Sequence, residues 1–132
     1  MVDALLDALH PSTSTTTVGT KTITAPMRLH LMTANGTDTT AGTELTTSGD
    51  YVAGTGGGIS IGTKWNPASG KSKSTDATIQ QEGMPAATVT GVEIWDTSTP
   101  RQRIDHGDMT DKACQANDTL IFTAAAIAVV VT

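Results

Sequence analysis

Three short stretches of this chain carry the residue types that chemistry usually needs. Gly58-Ile59-Ser60-Ile61-Gly62 spells the G-x-S-x-G pattern of a nucleophile elbow. That device works because a sharp strand-to-helix turn exposes the serine oxygen, with an acid and a histidine further along the chain. Here Thr63-Lys64-Trp65-Asn66-Pro67 follows and cannot open a helix, and His106 is the only downstream histidine. The match is therefore expected to be a strand bounded by glycines. A phosphate loop needs G-x-x-x-x-G-K-[ST], whose amides cradle phosphate while the lysine reaches the outer oxygens. Gly57 and Gly62 have the spacing, but Thr63 replaces the lysine; Gly70-Lys71-Ser72 has the ending, but Trp65 replaces the first glycine. Asp105-His106-Gly107-Asp108 gathers three possible metal ligands, yet His10 and His30 lie far upstream, and a metal site needs a further ligand in defined geometry. A polar turn is the expectation there. Cys114, the single cysteine, reads as a small buried hydrophobe. No catalytic, cofactor-binding or metal-binding residue is assigned, and no enzyme activity is expected.

The elements that would have to position such groups are short strands. Met27, Leu29 and Leu31 alternate with Arg28, His30 and Met32, the period of a half-buried strand. Val89 to Trp95 repeats the pattern, with Val92 and Ile94 on one face and Glu93 and Trp95 on the other; Arg101 to Ile104 is expected to return as its hairpin partner. Thr119 to Val131 reads as a last strand or pair of strands. The glycine run Gly54-Thr55-Gly56-Gly57-Gly58 supplies positive φ angles in a loop. Abundant threonine and β-branched residues suit strands. The expected fold is all-β, an antiparallel β-sandwich or small barrel.

The N-terminus differs. Val2, Leu5, Leu6 and Leu9 fall at i, i+3, i+4 and i+7, one apolar face of a helix that Pro11 stops. Ser12 to Thr20 is almost wholly Ser, Thr and Gly and reads as a linker or extended arm. Residues 1–24 are thus expected to form a helix and arm, and 25–132 the β-sandwich domain. The four apolar residues of the helix either pack on their own domain or dock on another subunit.

Composition narrows the function. At 132 residues the chain fits one domain. Its net charge of −5, with only eight Lys and Arg, argues against nucleic acid as a partner. No apolar run approaches a membrane span, and no basic n-region of a signal peptide precedes Leu5. One cysteine fits assembly in a reducing cytoplasm. Hydrophobic residues are 37% and aromatics 3%, so alanine, valine and threonine must build the core, with partner chains expected to add stability.

Several segments in order carry a resemblance: the Ala-Leu-Leu helix, Ala25-Pro26-Met27-Arg28-Leu29-His30-Leu31-Met32-Thr33, Gly42-Thr43-Glu44 leading to Gly49-Asp50-Tyr51, Val89-Thr90-Gly91-Val92-Glu93-Ile94-Trp95-Asp96, and Asn117-Asp118-Thr119 opening into Leu120-Ile121-Phe122. The whole resembles a family of small virion proteins of tailed bacteriophages, known as minor capsid, decoration or tail fibre proteins. The resemblance implies a virion component without catalysis or cofactor. It would be assembled in the host cytoplasm, and its partners would be the major capsid protein or other virion subunits. It would sit on the capsid surface as a homo-oligomer, such as a trimer. A tail or tail-fibre component contacting the host is the alternative; the single-domain length, without long repeats or coiled coils, favours the capsid. A carbohydrate-binding β-sandwich is a reading of another class, and it would need Tyr51, Trp65 and Trp95 as exposed platforms.

Overall fold

A computed structural model describes residues 2–11 and 15–131. The described residues form one helix, α1 (Val2–Leu9), and eleven strands: β1 (Thr16–Val18), β2 (Lys21–Ile23), β3 (Arg28–Ala34), β4 (Thr43–Glu44), β5 (Ile59–Ser60), β6 (Ser72–Ser74), β7 (Ile79–Met84), β8 (Ala87–Trp95), β9 (Arg103–Cys114), β10 (Asp118–Phe122) and β11 (Ala128–Val130). The architecture is all-β and sandwich-like. Its main layer is an antiparallel sheet in the order β4-β3-β8-β9, with β5 also paired to β3. Ribbons β7-β10 and β6-β11 supply apolar residues to the other side of the core, and β1-β2 is a separate hairpin. No helix among the described residues is long and apolar enough to cross a membrane.

The register of the main sheet sorts side chains into rows. Leu29 lies opposite Ile94 and then Asp105; Leu31 lies opposite Val92 and then Gly107. These rows face the core. The alternate rows, His30–Glu93–His106 and Arg28–Trp95–Arg103, face the other way, because side chains alternate along a strand. Two apolar clusters fill the interior. One joins Ile23, Met27, Leu29, Ile61, Trp65, Ile79, Ile94 and Ile127; the other joins Leu31, Leu45, Tyr51, Met84, Val89, Cys114 and Leu120. The alternation in 27–32 and 89–95 thus places the side chains that it was expected to place. The second face of β3 is not solvated, however. His30 and Met32 are also buried, because the segment from Asn35 to Gly58 folds back over that face.

Two expectations are corrected. The Ser/Thr stretch is not an extended arm from Thr16 onward: β1 and β2 form a hairpin around Gly19, whose φ of +62° makes the tight reversal. Ser12 to Ser14 lie outside the described residues. Ile23 and Leu9 pack into the same cluster as Leu29. Finally, Asp105-His106-Gly107-Asp108 is no turn. It lies inside β9, which runs twelve residues because β8 pairs with it along almost its whole length.

Candidate interaction surface

The residues singled out for chemistry are dispersed. Ser60 is exposed on β5 opposite Arg28, no helix follows it, and its side chain bonds to no histidine among the described residues. The acids around His106 diverge: Asp105 turns to His10, while His106 meets Asp38. No group of three or more His, Cys, Asp or Glu residues converges to hold a metal among the described residues. Cys114 is buried, and burial raises its thiol pKa, which keeps it from the reactive thiolate form.

The helix face Val2, Leu5, Leu6 and Leu9 is largely taken up by the chain itself. Leu6 is buried, Leu9 packs on the first cluster, Val2 is half-buried, and only Leu5 remains well exposed. Polar bonds moor the helix on both sides. Asp3 accepts the Lys71 amide, and Asp7 accepts the Ala68 amide and pairs with buried Lys73. The hydrogen bond from Lys73, ahead of the Ala68 amide, lowers the Asp7 carboxyl pKa. At the helix end His10 is fully buried beside the Trp65 ring, with Nδ1 donating to the Leu6 carbonyl and Nε2 on the Asp105 carboxylate. The helix therefore straps β6 to β9.

Sequence reasoning missed a network on the outer face of the main sheet. Glu44 accepts from His30 Nδ1, from Arg101, from the Tyr51 hydroxyl at 3.0 Å and from the Gly54 amide. Burial alone would raise its carboxyl pKa, but the bonds from His30 and Arg101 outweigh that and hold it at about 2. Tyr51 also accepts the Leu31 amide, and burial, with Glu44 beside it, pushes its phenol pKa up. Arg101 stacks 4.3 Å over the Trp95 ring. A second knot centres on Glu93, which accepts from Arg103 at 2.9 Å, the Gly42 amide at 2.7 Å and the Trp95 indole at 2.9 Å. Arg103 in turn donates to the Thr37 and Thr40 carbonyls. Gly36 fits only because it lacks a Cβ, which would stand 2.6 Å from Glu93 and 2.7 Å from Arg103. Each charge in this clasp meets an opposite charge or several donors, so it fixes loops to the sheet and leaves no free nucleophile or acid. The only sequence hint was Glu93 between two apolar residues. The aromatic residues are part of this construction too: Tyr51 and Trp65 are buried and Trp95 is half-covered by Arg101, so none of the three is an exposed sugar platform.

The opposite situation holds between β9 and the C-terminal strands. Among the described residues β9 is an edge strand, and no strand pairing joins the main layer to β10 or β11. A groove of about 460 Å3 runs between them, lined by Val92, Phe122, Ile127 and Val129 and by Asp105 and Gly107 of β9. A neighbouring hollow of about 450 Å3 separates Met109–Lys112 from Thr119–Phe122. Along its rim the apolar run Ala124 to Val131 is mostly uncovered. Ile127 is buried and the run bonds to the 71–75 segment, but Ala124 to Ala126 are exposed, Val130 and Val131 are 59% and 41% exposed, and nearby Ile121 is 54% exposed. An unbroken apolar run of this kind belongs on a strand buried from both faces. Contiguous exposed apolar surface of this kind is uncommon on a single folded chain.

Comparison of the chain with family models, with curated proteins and with solved structures finds no match in any of the three.

Proposed function

We propose that this chain is a non-enzymatic structural component of a tailed bacteriophage particle, a capsid decoration or minor capsid protein that binds and stabilises the major capsid shell. The single observation that carries the reading is the exposed apolar surface of Ile121, Val130 and Val131 beside an open groove. An adhesive role needs such a pairing of a firm body with one sticky face. The resemblance in segment order supplies the setting, the virion, and the major capsid protein or a neighbouring virion subunit as the partner. Assembly as a symmetric oligomer, such as a trimer, would repeat the face around a capsid axis. The acidic charge suits an outer surface that has no phosphate backbone to neutralise.

An electron-microscopy map of the virion tests the proposal. Density for this fold on the shell, with the 121–131 face turned toward a neighbour, is the expected result. Density at the tail tip alone would move the protein to the tail, and a virion without it would end the reading.

A further inference from the structure

The groove has a shape that specifies how it is filled. In the core-facing row Leu31–Val92–Gly107, the first strand brings leucine, the second valine and the edge strand nothing. A Cβ built on Gly107 meets no atom within 4 Å, and Val92, Phe122 and Val129 beside it are only half-buried. The row stops one strand short of closing the core. From Ile104 to Asp111 the main-chain groups of β9 bond to nothing but β8 among the described residues. A ladder of unpaired N–H and C=O groups beside an apolar floor is a template for one more strand, which would lie about 4.8 Å away.

The rim constrains the chemistry of that strand. Asp108 and Asp111 are exposed along the edge, Asp108 on the outward-facing side opposite Gly91. His106 is engaged with Asp38, and Lys112 lies beyond the irregularity that interrupts pairing between Val89 and Gly91. That irregularity and the two aspartates oppose pairing of β9 with the same acidic edge of a second copy. An added strand alternates its side chains, one set over Gly107 and the other beside Asp108.

The geometry points to β-strand addition: an extended segment of a partner protein, alternating apolar residues with Lys or Arg, pairs with β9 and sets its apolar side chains over Gly107. This rests on the adhesive role proposed above and names its mode. The donor strand completes the core row, its free N–H and C=O groups satisfy the β9 edge, and a basic residue on its outward side meets Asp108. The resulting contact is specific because a one-residue slip would turn the basic residues into the apolar groove.

A fluorescein-labelled peptide of four Lys-Val repeats tests the mode by fluorescence polarisation on the full chain. Saturable binding is expected. Gly107→Val should weaken it by about tenfold or more, a loss of about 1.4 kcal/mol, while the thermal midpoint stays in place because the added atoms enter open space. The same peptide N-methylated at alternate residues should lose binding, since its side chains are kept and its donors removed. Equal binding by the Gly107→Val chain or by the N-methylated peptide overturns strand addition, as does no saturable binding at all. Self-association that Gly107→Val abolishes overturns it in favour of a second copy. Virion occupancy separates the two readings: a Gly107→Val protein at full occupancy leaves the virion role standing without this mode, and peptide binding by a chain never found on virions does the reverse.

Discussion

The two faces of the main sheet were built on opposite plans. On the outer face His30, Glu44, Glu93, Arg101 and Arg103 are drawn out of water, and each is met by partners from the loops that cover it. On the inner face the core is closed at β3 and β8 but left open where β9 faces β10 and β11. The difference teaches where this small, aromatic-poor domain finds its rigidity and where it leaves apolar surface open. Buried charge is costly unless fully paired, so the outer clasp is all-or-nothing and holds long loops in one arrangement. An exposed apolar groove costs the monomer solubility instead, and gains only when it is filled.

Removing one member of the clasp should have the largest effect. Arg103→Met leaves the Glu93 carboxylate buried with two neutral donors, and chemical denaturation should show a loss of about 3–5 kcal/mol. A loss under about 1 kcal/mol would mean the pair is not shielded from water.

Acid should loosen the same face next. The Glu44 carboxyl is held at about 2 in the fold, below its ordinary value of 4.5, so it favours folding when ionised. That contribution is complete above about pH 4.5 and disappears as pH falls toward 2. Denaturation across this window should show the loss, on the order of 2 kcal/mol. A Glu44→Gln chain, already weaker at neutral pH, should show a shallower acid limb; an identical limb would place the acid sensitivity elsewhere, in carboxylates such as Asp7.

The strap is intermediate. His10→Gln cannot serve both the Leu6 carbonyl and Asp105, and should cost about 1–2 kcal/mol. Hydrogen exchange of the α1 amides should quicken while the amides of β3 and β8 keep their protection. Equal quickening in the sheet would show that the helix is an integral part of the core and not a local strap.

The smallest effect on stability belongs to the open face. Ile121→Thr and Val130→Thr, both at exposed positions, should each change unfolding free energy by no more than about 0.5 kcal/mol. A drop of about 2 kcal/mol would reveal that these two side chains pack within their own chain.

Periodicity made the sheet legible before the structure. The alternation at Met27–Met32 and Val89–Trp95 and the turns around them required strands, and the core rows follow from that spacing alone. The length of β9 was hidden because Asp105-His106-Gly107-Asp108 has the composition of a turn; pairing with β8 overrides local preference. The hairpin at Thr16–Ile23 was hidden because Ser/Thr/Gly texture serves strands and linkers alike. The clasp could not be read, since Glu44 and Arg101 are 57 residues apart and nothing in their local sequence announces the meeting. The open groove left a trace. Ala124 to Val131 is too apolar for a solvated strand, but only the fold shows that its own chain fails to cover it.

On the proposed reading, the 121–131 face is adhesive while the rest of the domain is self-sufficient. Its most direct test is an Ile121→Lys/Val130→Lys chain, assayed for thermal midpoint and for occupancy on virions of the phage that carries it. An unchanged midpoint is expected, with occupancy reduced about tenfold or more, the scale of lost central contacts. Full occupancy with the midpoint intact would contradict it.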